Sequence, residues 1–232
     1  MLLSRIFDQL ATGELAQHKY GKSGTIESAD YPALIRHTNM ALTELHKRFP
    51  LKTKELKIAQ FSGINLYRLD IKHAISNTGS NETKYIVDSE DDPFLDDLIK
   101  IDAVYDDHGE PVPLNDEALD RSVFMAGYDT IQIPFSVDGL NIYVIYRAKH
   151  ADISTASLPG ETEVDIPSTL LEPLLSYIAA RCYSTLNSQL GNTTSSFYFS
   201  KFNLYCGKIT EDNVLNEARS MTNNKLHYKG FP

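Results

Sequence analysis

The sequence predicts an α+β fold: a helical layer built from both ends of the chain, with a mainly antiparallel β domain inserted between them. Three observations lead there. Apolar residues recur at three- and four-residue steps in the first fifty or so positions and again beyond Ile166. Between Leu56 and Lys149 the period falls to near two, which puts alternate side chains on opposite faces of a strand. Glycine, proline and short polar runs cut that middle stretch into strand-length pieces. The expected boundaries are 1–53 and 150–221 for the helical layer, 54–149 for the β domain, and 222–232 for an extended C-terminal arm.

Leu2, Leu3, Ile6 and Leu10 make a short amphipathic helix closed by Gly13. Residues 14–29 lack a period and read as a loop. A second helix runs from about Tyr31 to Phe49, with Asp30 as N-cap, Pro32 in the first turn, and Ile35, Leu42, Leu45 and Phe49 on one face. Pro50 stops it. Residues 56–61 and 65–71 flank Ser62-Gly63-Ile64 and predict a hairpin. A polar loop over 76–82 leads to a short strand at 84–88, and 88–93 is an acidic turn. Residues 100–105 and 110–115 flank Asp107-His108-Gly109 as a second hairpin. Its second strand must be an edge, because Pro111 and Pro113 cannot donate to a ladder. Residues 115–122 form a polar turn or short helix. A third hairpin joins 130–136 to 140–149 through Val137-Asp138-Gly139, and 150–165 is a connector.

The longest helical pattern spans Asp165 to Leu190. Leu171, Leu174, Leu175, Ile178, Cys182 and Leu186 share one face, Thr169 and Glu172 form a capping box, and Gly191 ends it. Small Ala179 and Ala180 allow another element to approach closely. Ser195 or Ser196 caps a following helix with Phe199, Phe202 and Cys206 on one stripe, and 209–221 allows one more.

A chain of 232 residues can bury a sizeable core without disulfide or metal, and 42% hydrophobic with 23% charged residues is ordinary for a globular protein. Cys182 and Cys206 make no CxxC pair and read as small buried hydrophobes. The net charge of −9 argues against a broad grip on nucleic acid, which needs clustered Lys and Arg. No apolar run is long enough to span a membrane, and the run at the N-terminus is too short for a secretory signal, so the two glycosylation sequons, at Asn81 and Asn192, are discounted.

Local signs of catalysis are missing from the sequence. The seven histidines show no metal-ligand spacing, and the acidic stretch at 88–92 with Asp96 and Asp97 lacks the register of a calcium loop. Gly21-Lys22-Ser23 has neither the earlier glycine nor the preceding strand of a phosphate loop, and there is no GxSxG. We therefore expect no catalytic, cofactor-binding or metal site. What stands out is contact surface: thirteen tyrosines, ten phenylalanines and no tryptophan, with aromatics on all sides of the 197–205 helix. In the last eleven residues Leu226, Tyr228 and Phe231 recur at near-alternate positions, with His227 and Lys229 between two of them. They are the candidate partner-binding residues, suited to a sheet edge or groove.

Several of these stretches carry a resemblance. TIQIP through GLNIYVIYRAKHADI, the LLEPLLSYIAARCYSTL helix, FYFSKF and the NNKLHYKGFP tail resemble head-to-tail adaptor (connector) proteins of tailed bacteriophages. YPALIRHTNMALTELHKRFPLK is similar, more loosely, to the helix before their β insertion. The resemblance implies a non-enzymatic structural virion protein at the head–tail interface, made in the host cytoplasm. It implies a homo-oligomeric ring, usually a dodecamer, bound below the portal protein and extending the DNA channel toward a tail or nozzle protein. Genome DNA would pass without sequence-specific binding, which an acidic wall suits. The other readings are a soluble interaction module unrelated to virions, and an enzyme whose site is assembled from distant residues.

Overall fold

A computed structural model describes residues 1–186, 188–212, 214 and 215. Among them are four α-helices and two antiparallel sheets, so the fold is α+β. The chain divides into two compact units: Met1–His37 together with the chain from Thr155 onward, and Thr38–Ser154.

The first unit is helical. Helix α1 (Leu3–Thr12) buries Leu3, Ile6, Phe7, Leu10 and Ala11. Leu2 is not on that face; it is the exposed residue before the helix and bridges to Glu163. No side chain caps α1. Its first amides donate instead to the carbonyls of Thr162 and Pro159, and the Met1 ammonium donates to the Val164 carbonyl at 2.9 Å. Helix α2 (Tyr31–Arg48) starts directly from a one-turn 3-10 helix over Ser28–Asp30, so Asp30 lies inside that turn.

Helix α3 (Leu171–Ser184) is shorter than the sequence pattern suggests, and α4 (Gln189–Glu211) is the longest helix described. Four expectations are corrected here. Thr169 sits in a 3-10 turn over Ser168–Leu170, and α3 has no side-chain cap, so the Thr169–Glu172 box does not form. Gly191 lies within α4, where a Cβ would come within 2.7 Å of Leu186 Cβ; glycine is used for close approach, not to end a helix. Ser188 is the N-cap of α4, accepting the Gly191 amide at 3.0 Å, while Ser195 donates to the Ala180 carbonyl at 2.8 Å. That contact at Ala180 is the close approach expected of the alanine pair. The helix expected over 209–221 has no separate start, because Ile209–Glu211 continue α4; residues 216–221 lie outside the described set.

The second unit carries the strands. β1 (Thr53–Ala59), β3 (Ile86–Val87), β4 (Leu98–Asp106), β5 (Pro111–Val112) and β8 (Asn141–Ala148) form a sheet in the order β3-β1-β8-β4-β5. β2 (Leu66–Arg68), β6 (Phe124–Gly127) and β7 (Thr130–Gln132) form another, in the order β2-β7-β6. The β4–β5 hairpin forms as expected, with β5 at the edge and Gly109 in the turn at φ 77°. The other two hairpins do not. β1 pairs with β3 and β8, while β2 pairs with β7. β7 and β8 belong to different sheets.

The reason lies in length and in loop chemistry. β8 is eight residues long and alternates Ile142, Val144, Tyr146 and Ala148 inward, which rewards long partners on both edges. β1 and β4 supply them; β7, three residues long and stopped by Pro134, cannot. The Val137–Gly139 loop is tied to the 60–62 loop instead. Asp138 accepts the amide and hydroxyl of Ser62, both at 2.6 Å, and Gln60 Oε1 accepts the Val137 amide. One apolar core built from both sheets results, with Tyr67, Tyr85, Phe94 and Tyr146 its largest members.

Candidate interaction surfaces

The partner-binding residues expected from the sequence, Leu226, Tyr228 and Phe231, lie outside the described residues, as does the whole 222–232 arm. Among the described residues two apolar surfaces stand open.

The first is on α4. Its inner face packs on α3: Phe202 and Cys206 are buried, and Phe202 meets Tyr177 edge-on with ring centroids 5.1 Å apart. Phe199, expected on the same stripe, is instead exposed, tilted against Tyr177 and Phe202 at the margin. Tyr198 and Tyr183 stack at 5.7 Å, and both hydroxyls donate to the Glu14 carbonyl. Lys201 reaches the Glu14 carboxylate at 3.5 Å. One loop residue thus fixes how α4 lies on α3. The outer face carries Leu190, Phe197 and Leu204, 78%, 63% and 57% exposed. Seven-residue spacing puts them nearly in line along the helix.

The second is a cleft of about 480 Å³ in the strand-bearing unit. Val112, Val123, Ile133 and Ile142 line it, with Phe135 and Leu140 exposed at its mouth. Its rim is charged: Asp106, Asp107 and Asp120, with His108 and Arg121. The amides of Glu110 and His108 hold the Asp106 carboxyl below its usual pKa, and the Asn141 amide and side chain do the same for Asp107. Both are carboxylates at neutral pH. This cleft is not legible in the sequence, because its walls join Gln60 to three separate stretches between Asp106 and Ile142 that come together only in the fold.

The acidic stretch is used structurally. Burial alone would raise the Asp88 pKa, but the Ser76 hydroxyl and the amides of Phe94 and Ser76 outweigh it and hold it low. Asp96, at φ 53°, accepts the Ile71 amide at 2.6 Å. Asp97 pairs with Lys54 at 3.0 Å and accepts the Tyr146 hydroxyl. These carboxylates point to different partners, and no metal-holding group of three His, Cys, Asp or Glu is found among the described residues. Cys182 and Cys206 are buried and unbonded to each other, and burial pushes the Cys182 thiol up to about 12, which makes it a poor nucleophile. No described helix is long and apolar enough to cross a membrane.

A scan against protein-family models finds none that matches the chain, and a search among curated proteins finds no match either.

Proposed function

We propose that this chain is a structural virion protein, a head-to-tail adaptor that forms a homo-oligomeric ring under a portal and extends the DNA channel toward the tail. The observation that carries the reading is the outer face of α4. A helix of 23 residues that buries one stripe in its own unit and aligns Leu190, Phe197 and Leu204 in solvent has a second apolar face. A neighbouring subunit is the partner that a ring supplies. The sequence stretches that resemble adaptors, the α+β order of elements and the acidic net charge agree with it.

Mass photometry of the chain alone and with the portal of its own phage tests the proposal. Ring-sized particles, free or on portal, are expected, and Phe197→Ser with Leu204→Ser should abolish them while leaving the monomer folded. A chain that stays monomeric and inert toward portal would overturn the adaptor reading.

A further inference from the structure

The cleft of the strand-bearing unit is walled by parts of β4, β5 and β8 and by the loops over 120–123 and 133–140, and it offers a ligand two properties. Its floor is apolar, and its volume of about 480 Å³ lies within the roughly 300–1,000 Å³ of pre-formed binding sites. Its rim sets three carboxylates against Arg121 and His108, so acidic groups outnumber the guanidinium, and Asp106 and Asp107 are fixed in place by hydrogen bonds to neighbouring residues. The complementary ligand is an extended segment with an aromatic anchor, basic side chains beside it and no acid.

The chain itself carries a stretch of that composition. Residues 222–232 carry Tyr228 and Phe231 with Lys225, His227 and Lys229, and no Asp or Glu, in a protein whose net charge is −9. The 17 residues that follow Leu215 can reach up to about 55 Å when extended, enough to leave their own unit for another molecule.

We propose that this cleft is the docking site for residues 222–232 of a second copy of the chain, an aromatic ring filling the apolar floor and the lysines meeting the carboxylate rim. The inference deepens the ring-subunit reading, since side-by-side copies are what bring such a segment to a neighbour's cleft. It names what the arm holds: the β unit of the next subunit.

A fluorescent, end-blocked peptide of residues 222–232, titrated with the full-length chain and followed by anisotropy, provides the test. Saturable binding is expected. Tyr228→Ala with Phe231→Ala in the peptide should weaken it at least about tenfold, as loss of an anchor does. Phe135→Asp and Asp120→Lys in the protein alter exposed positions, so far-UV signal should stay native while binding weakens at least roughly fivefold. Raising the salt should weaken binding to the unaltered chain more than to Asp120→Lys. Absence of saturation, or binding that neither protein variant changes, overturns the proposal. A photo-crosslinker at position 228 in a mixture of light and heavy-isotope chains then assigns the donor. Cross-links from light to heavy copies at the cleft are expected; cross-links only within one copy overturn the second-copy assignment. None of these readouts requires portal. Failure here leaves the ring proposal standing, and failure of rings to form on portal leaves peptide binding to be judged by itself.

Discussion

Arg147 shows how much one side chain can organise. It stands on β8 facing out, largely covered, and donates from Nε to Asp102 on the neighbouring β4 at 2.8 Å. Its Nη1 donates to the carbonyls of Lys47 and Arg48, at 3.3 and 3.0 Å, in the last turn of α2, where helix carbonyls point beyond the helix's own amides. A guanidinium fork can satisfy both directions at once; an ammonium cannot. Arg147→Ala should therefore cost about 1–3 kcal/mol in chemical denaturation, and Arg147→Lys should recover less than half of it. Full recovery by lysine would show that charge alone matters there. Two histidines make a second residue-scale prediction. His18 is buried between Tyr20 and Tyr183, and burial lowers its pKa from the ordinary 6.5, helped by Lys19 and opposed by the Cys182 carbonyl and Asp30. His37 is lowered by burial and then by Arg181, Arg36 and His18. The unfolded chain takes up these protons near pH 6.5 while the folded chain resists, so the unfolded state binds more protons below that pH. Stability from these groups is complete above about pH 6.5 and is lost as pH falls toward their folded values. Urea midpoints at pH 7.5 and 5.5 should differ more for the native sequence than for a His18→Gln, His37→Gln variant. Equal differences would remove the histidines from the account.

At the scale of elements, α3 carries the clearest stability prediction. Leu175 and Ile178 are buried, while Arg181 is exposed. Truncating either apolar residue to Ala should cost about 2–5 kcal/mol, and Arg181→Ala about 0.5 kcal/mol or less. Comparable losses at all three positions would mean that the face is misassigned. The helix periods and the proline-marked edge strand were legible in the sequence because they depend on local geometry: a 3.6 or 2.0 repeat, or a missing donor. Strand pairing was not. Sequence neighbours pair often but not always, and here Asp138 and Gln60 hold loop to loop where a hairpin turn was expected. The start of α4 was missed for a similar reason. Gly191 fits the end of one helix as well as the inside of the next, and only the Leu186 side chain pressed against it decides. The candidate site divides in the same way. The aromatic and basic pattern of 222–232 is local and readable, whereas a cleft walled by Val112, Val123, Ile133 and Ile142 exists only after folding.

For the molecule as a whole, the division into units makes a prediction about what can stand alone. Thr38–Ser154 is one continuous stretch, of the size at which single domains are common. It contains both sheets and their shared core. It also contains the second half of α2, tied to the strand exit at several points. Asn39 exchanges hydrogen bonds with the backbone of Ile153, His150 meets Thr43 and the Asn39 carbonyl, and His46 Nδ1 lies 3.1 Å from the Ala148 carbonyl. Leu42 and Leu45 on that half-helix, and Phe49 directly after it, are buried. The period change in the sequence sets the boundary of the β region near residue 54, because it registers where strands begin and not where packing ends. Expressed by itself, 38–154 should melt cooperatively with a far-UV spectrum dominated by strand. A 54–149 fragment loses the half-helix, the Asn39 and Thr43 bonds and the His150 clasp. It should be less stable by several kcal/mol, roughly the loss of a few buried apolar side chains and their hydrogen bonds. Urea denaturation of the two fragments side by side measures the difference. Equal midpoints would show that the second half of α2 is a passenger on the strand-bearing unit, and a 38–154 fragment without a cooperative transition would show that this unit needs the helical one to fold.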